Sequence, residues 1–323
     1  MIWVTWRQHR TESFILLGVL VLSSIFLLVT GLTMANTFQQ SGLSNCLANN
    51  KDTRALLAIC GSLGSAFLNQ YGPLFPFAAA LLILPILLGA MVGAPLVARE
   101  CEQHTNLLVW MQSITRTRWL TVKVALVLGT GLLVGGVLLV LLTWWYRPFS
   151  QLNGSFNQVA FDFSGPVLIA ATMLALALGI FVGTLTRRTV FAIFLTLALI
   201  LAIRLPVELG LRPNYEPQIT VNWPLAQSDN PPITLGRQDW NLGQGFIDAH
   251  GNKTNTINCN GQHMMGELTP LQCMQASGYR GNYLSYQPAD RFWTFQWIET
   301  SIYLAISVLA LGATFWLVRR RLV

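Results

Sequence analysis

The sequence predicts an all-α membrane protein that crosses a bilayer about six times. Three observations predict it. Hydrophobic residues make up 53 % of the chain and charged residues only 10 %, where an average soluble domain carries roughly 25 % charged residues. The apolar residues are gathered into blocks near the length of about 20 that a helix needs to cross a hydrocarbon core. The blocks show no period-2 alternation, which argues against a closed barrel, the other structure that pairs every backbone group inside lipid.

The blocks run in order from Phe14 to Ala35, Pro73 to Ala98, Leu120 to Trp145, Gly165 to Leu185, Val190 towards Leu211, and Ile298 to Val318. Residues 1–12 precede them as a short, basic, aromatic segment. Trp3 and Trp6 share a helical face, as do Arg7 and Arg10, which suits a helix lying in the inner interface; a cleavable signal peptide is the competing reading. An outer loop is expected from Asn36 to Gly72. Pro76, Pro85 and Pro95 predict a kinked second span. An inner coupling segment, 99–118, separates spans two and three. Tyr146 to Ser164 joins spans three and four outside, and Thr186 to Thr189 joins spans four and five inside. The fifth block is the shortest. Arg204 and Glu208 follow it four apart with Pro206 between, so the helix is expected to end early with Arg204 snorkelling outward. A re-entrant segment is the rival. Spans one to five thus occupy 13–209. Residues 210–294 are rich in Asn, Gln, Gly and Pro and predict an extracytoplasmic subdomain without assignable secondary structure. Residues 295–323 supply span six and a basic tail.

Charge orients the map. With six spans, Arg7, Arg10, Arg99, Arg116, Arg118, Lys123, Arg187, Arg188, Arg319, Arg320 and Arg321 fall on one side, against Glu12, Glu100 and Glu102. The other nine bases and ten acids fall opposite. Short loops rich in Lys and Arg stay in the cytoplasm, so both termini are placed there. The net charge of +7 is therefore a topology signal and needs no nucleic acid. The cysteines agree, with Cys46, Cys60, Cys259 and Cys273 outside and Cys101 alone inside, as an oxidising exterior and a reducing cytosol require. Proximity in sequence predicts bridges Cys46–Cys60 and Cys259–Cys273, although four cysteines allow three connectivities.

The search for a reaction centre is negative. The sequence holds no phosphate-binding GxxxxGK[ST], no HExxH and no GxSxG, and no cysteine–histidine spacing that suits a metal. The span centres are almost free of charge. GxxxG patterns at Gly89–Gly93, Gly131–Gly135 and Gly179–Gly183 permit close helix approach, within one chain or between two. Arg204 and Glu208 form a possible outer-mouth pair across one turn. Glu299, behind Trp293 and Trp297, needs a partner if buried, and an arginine of the outer loop is the expected one.

The inner segment from Arg99 to Lys123 carries a resemblance. A span ends in Arg99-Glu100; Thr105, a hydrophobic helix containing Leu108, the turn Thr115-Arg116 and Lys123 at the next span follow. The pattern resembles integral membrane permeases of the ABC type-2 exporter family, with His104 where the family usually has Gly. The opening Trp3-x-x-Trp6-Arg7-Gln8-His9-Arg10 and the closing Phe292-Trp-Thr-Phe-Gln-Trp-Ile-Glu299 are similar to a bacterial subgroup.

The resemblance implies a multi-pass permease of the bacterial cell membrane. Two such chains, expected as a homodimer, pair with two copies of a separate ATPase that binds ATP and Mg. Residues 100–115 would be the coupling helix that docks on it, with Glu100, Glu102 and Thr105 as its polar tip and Leu107, Leu108, Trp110 and Met111 as its apolar anchor. Arg116 follows in the turn. No catalytic residue, cofactor or metal is expected in this chain. A nearly uncharged pathway suits an amphipathic or hydrophobic cargo. The alternative is a membrane sensor or scaffold whose extracytoplasmic domain binds a ligand.

Overall fold

A computed structural model describes the chain except residues 1, 50–52, 104–114, 157, 226–230, 234, 257–269, 277 and 321–323; for residues 2–13, 15, 16, 49, 53–59, 158, 270, 273 and 276 it describes the backbone alone. Among the described residues, six helical stretches are long and apolar enough to cross a membrane: Leu17–Gln40, Cys60–Glu102, Arg116–Asn153, Val167–Thr186, Thr189–Asn214 and Ala289–Arg320.

Helix α1 (Ile2–Gln40) is continuous. Residues 2–12 are its first turns and run without a break into the first span. The expected loop from Asn36 to Gly72 is corrected. Helix α1 continues to Gln40, and α2 (Leu43–Asn49) and α3 (Thr53–Tyr71) fill most of the remainder. The reason is apolar burial: Leu43, Leu47, Cys60, Phe67 and Tyr71 close one core with Phe38 and Phe149. A disulfide joins Cys46 to Cys60, with Cα atoms 6.1 Å apart.

The second span changes its hydrogen-bond register repeatedly. A 3₁₀ turn (Gly72–Leu74) leads into α4 (Phe75–Ala80), a second 3₁₀ turn (Leu81–Ile83), α5 (Leu84–Leu88), a π-helix (Gly89–Gly93) and α6 (Pro95–Glu102). Proline lacks an N–H and fits only the first turn of a helix. Pro73, Pro76, Pro85 and Pro95 each occupy such a first turn, so each restarts the helix. The predicted kink is thus spread over the span.

Helix α7 (Arg116–Asn153) begins at Thr115, whose Oγ1 accepts from the Arg118 N–H. The short α8 (Gln158–Phe163) turns the chain into α9 (Val167–Thr186). Helix α9 is the centre of the bundle: 83 % of its apolar window is buried, against 28–39 % for the other five spans. Close backbone approach explains how it fits. A Cβ on Gly179 would lie 2.1 Å from the Gly89 carbonyl oxygen, one on Gly183 2.1 Å from that of Ala94, and one on Gly89 2.4 Å from that of Ala175. Gly131 likewise meets Leu176. All three GxxxG patterns therefore make contacts within the chain.

Arg187, with φ 56°, ends α9 and starts the tight turn into α10 (Thr189–Pro206). The fifth span does not end at Arg204. A π-turn (Val207–Leu211) and a 3₁₀ turn (Arg212–Asn214) carry it on. Outward snorkelling of Arg204 is corrected, since it is only 8 % exposed.

The polar stretch after span five forms a four-stranded antiparallel sheet of order β1-β4-β2-β3, from β1 (Ile219–Pro224), β2 (Trp240–Asp248), β3 (Lys253–Thr254) and β4 (Tyr279–Gln287). The fold is therefore helical with a small sheet added. Helix α11 (Pro270–Ala276) precedes β4, and α12 (Phe292–Arg320) is the last span. The turn between β2 and β3 is closed by Asp248, which accepts from Asn252 Nδ2 at 2.9 Å and from the Asn252 and His250 N–H groups at 2.8 Å. These bonds, the Asn252 side chain first, hold its carboxyl below the usual range. The sheet is fastened to the helices by Gln238, which donates to the Ser150 carbonyl at 2.7 Å, and by Trp240, stacked on Phe156 at 5.5 Å.

Two outcomes follow. Gly179→Ala forces α9 from the second span and lowers stability by about 1–3 kcal/mol, the usual cost of overpacking, whereas Gly136→Ala, with open space around it, costs nothing; chemical unfolding of the purified variants reads both. Peptide mapping without reductant recovers residues 46 and 60 in one linked fragment, and their replacement by Ser costs about 3 kcal/mol for a closed loop of this size.

Candidate functional site

Polar side chains collect at the two ends of the bundle. At the sheet end, α8, α10 with its extension, and α12 each contribute charge. Arg212 is fully buried. Its Nε donates to Glu299 Oε2 at 2.8 Å, and its Nη2 to Glu299 Oε1 at 2.7 Å and Asp162 Oδ1 at 3.0 Å. The guanidinium also lies 4.2 Å from the centre of the Phe161 ring. Arg204 Nη2 pairs with Asp162 Oδ2, and its Nε donates to Glu208 Oε1 at 2.6 Å. The Tyr303 and Tyr215 hydroxyls donate to Glu299 at 3.0 and 3.5 Å. Three carboxylates thus face two guanidiniums in a site where Asp162, Arg204, Arg212 and Glu299 are buried. Charges this deep are retained only when paired and hydrogen-bonded.

Nothing here resembles a nucleophile with its base. Among the described residues no group of three or more His, Cys, Asp or Glu is placed to hold a metal. The arrangement does mechanical work: it fixes the ends of three helices relative to one another. Gln296 adds to it, donating to the Phe161 carbonyl at 2.7 Å.

At the opposite end, Glu100 and Lys123 form a buried ion pair between α6 and α7, and Lys123 Nζ lies 4.8 Å from the Trp119 ring centre. Glu102 is exposed, and its Oε2 accepts from Thr189 twice, from the N–H at 3.0 Å and from Oγ1 at 2.7 Å. A carboxylate on the first N–H of a helix satisfies an orphan donor and favours the helix dipole. Glu102 therefore clamps the start of α10 to the end of the second span.

The expected residues fare differently. Arg204 and Glu208 are in contact, with Arg204 buried and Glu208 half-buried. Glu299 pairs with an arginine, Arg212, from the stretch read in the sequence as outer loop, which the structure shows as the 3₁₀ extension of span five. Glu100, expected at the polar tip, is 8 % exposed and turned onto Lys123. Glu102 remains exposed, and Arg116 is half-buried in the first turn of α7. Thr105 and Leu108 lie outside the described residues. So does the Cys259–Cys273 pairing, because nothing is described for residue 259 or the side chain of Cys273. Cys101 is a free cysteine.

Asp162 and the second role of Arg212 escape a reading by blocks. One signal was present: Arg204, Glu208 and Arg212 recur every four residues, which places all three on one helical face. Asp162 sits between Phe161 and Phe163, an acid in an otherwise apolar turn.

A protein family described as ABC-2 membrane transporter related matches residues 17–212. The chain belongs to that family. No curated protein and no solved structure matches it. This ABC-2 relative is a multi-pass membrane protein and a transporter component of the permease kind. The matched region closes at Arg212, so Asp162, Arg204, Glu208 and Arg212 lie within it, while Glu299 and the whole sheet lie beyond it.

Removing one side of the cluster leaves a buried charge unopposed. Arg212→Ala lowers stability by about 3–5 kcal/mol, and Arg212→Met combined with Glu299→Leu recovers part of that loss. Denaturant titration of the detergent-solubilised variants measures both.

Proposed function

We propose that this chain is the permease subunit of an ATP-driven exporter of the ABC type-2 kind, moving an amphipathic or hydrophobic cargo. The family match over residues 17–212 carries the reading. Two permease chains pair, as a homodimer, with two copies of a separate ATPase that binds ATP and Mg. The ATPase docks on the segment 99–118. Both termini face the cytoplasm of a bacterial cell, and the sheet stands outside. Clustering of Arg116, Arg118, Arg187, Arg188, Arg319 and Arg320 towards the end away from the sheet supports this orientation.

The geometry supports a route for movement. The docking segment begins at the end of α6, where Glu102 holds Thr189. Helix α10 then runs for 18 residues, about 27 Å at 1.5 Å per residue, and carries Arg204, ion-paired with Asp162, in its last turn. A displacement at the ATPase face is passed along α10 as a stiff rod and reaches the sheet end. Glu100, paired inside with Lys123, positions the segment rather than touching the partner.

A sensor reading draws on one observation, a cavity of about 600 Å³ bounded by Asn153, Pro213 and Trp240, between the helices and the sheet. Co-purification separates the two. The tagged, solubilised chain retains an ATPase subunit. Glu102→Ala leaves the bundle folded and lowers ATP-driven transport about tenfold, in line with the loss of a charge-assisted hydrogen bond worth roughly 1.5–3 kcal/mol. An isolated chain with no ATPase would overturn the exporter reading.

A further inference from the structure

A groove of about 900 Å³ opens on the side of the bundle at the sheet end, between α7, the α8–α9 turn and the start of α12. Its wall is apolar and aromatic, with Val140, Trp144, Ile169, Phe292, Trp293 and Trp297. Trp293 and Trp297 are 59 and 58 % exposed. Tryptophans concentrate at the depth where headgroups meet acyl chains. Arg147 also lines the groove, close to where Gln238 fastens the sheet. Arg147 is exposed. Arg204, Arg212 and Arg291 all have carboxylate partners, whereas Arg147 has none among the described residues. The groove therefore combines an apolar trough with one uncompensated cation at its lip.

We propose that this groove is a binding site for a single anionic phospholipid of the surrounding bilayer. An acyl chain lies along Val140 and Ile169, the tryptophans mark the ester level, and the Arg147 guanidinium holds the phosphate. A guanidinium offers a forked pair of N–H donors that matches phosphate oxygens, and a zwitterionic headgroup carries its own ammonium to compete for that phosphate. The site stands apart from the ATPase-docking end and does not depend on the exporter reading.

The test uses the purified full chain in micelles doped with phospholipids brominated on the acyl chain, which quench nearby tryptophan fluorescence on contact. The protein has 11 tryptophans, so the groove's share is the quenching lost in a Trp144→Phe, Trp293→Phe, Trp297→Phe variant. Brominated phosphatidylglycerol half-saturates that share at about fivefold lower mole fraction than brominated phosphatidylcholine, the preference one basic residue near a membrane surface confers. Arg147→Lys keeps the preference and Arg147→Gln abolishes it. In the unsubstituted chain the preference shrinks as salt is raised, a readout that needs no variant to fold. Equal half-saturation by the two lipids, a preference that survives Arg147→Gln or high salt, or groove tryptophans that neither lipid reaches because a second copy of the chain covers them would each overturn the proposal.

Discussion

The architecture depends on the burial of the Arg212 guanidinium. It has no exposed surface, and it satisfies carboxylates from two directions, Glu299 on the last span and Asp162 on the turn before the central helix. Those partners are separated from it by 87 and 50 residues. No run of apolar residues could specify such a meeting. In a bundle whose helices are apolar on every side, hydrophobic burial distinguishes poorly between one neighbour and another, because lipid is as good a partner as a helix. Paired charges distinguish sharply, since any arrangement that parts them leaves ions in a medium that cannot solvate them. Arg204 shares Asp162 with Arg212, so span five holds that carboxylate at two points, and span six is tied to the same cluster through Glu299 and Arg212.

The other determinant is the absence of side chains. Gly89, Gly179 and Gly183 let the central helix lie backbone to backbone against the second span. Steric fit sets the distance between those two elements, and the charged cluster sets the axial position of the outer ones. The buried Glu100–Lys123 pair repeats the device at the far end, so the bundle is pinned electrostatically at both ends and packed by shape between them.

The number and order of spans were legible because block length answers directly to bilayer thickness. The GxxxG spacings, the prolines of the second span and the pairing of Arg204 with Glu208 were also readable, each being a local rule. Helices α2 and α3 were not, because Ser, Asn and Gly among their residues mask the apolar stripe that packs on Phe38 and Phe149. The sheet was not, because its strands carry as much Asn, Gln and Gly as a loop would. Asp162 was missed for a different reason: nothing in the residues around it says that Arg204 and Arg212 will arrive. Glu100 reads as an exposed carboxylate in a basic segment, and only its contact with Lys123 reveals it as an interior group.

The second span has a property that no uniform helix possesses. Its backbone passes through 3₁₀, α and π pairing within one crossing. A 3₁₀ residue rises about 2.0 Å and an α residue about 1.5 Å. Each three-residue 3₁₀ turn that relaxes to α shortens the span by about 1.5 Å and rotates everything beyond it. Pro73, Pro76, Pro85 and Pro95, at the heads of four of these segments, lack the N–H whose hydrogen bond would resist the change. A rod with such joints acts as a screw of adjustable pitch. Its threaded face is the glycine contact with the central helix, where a small axial slip moves one backbone carbonyl past the next.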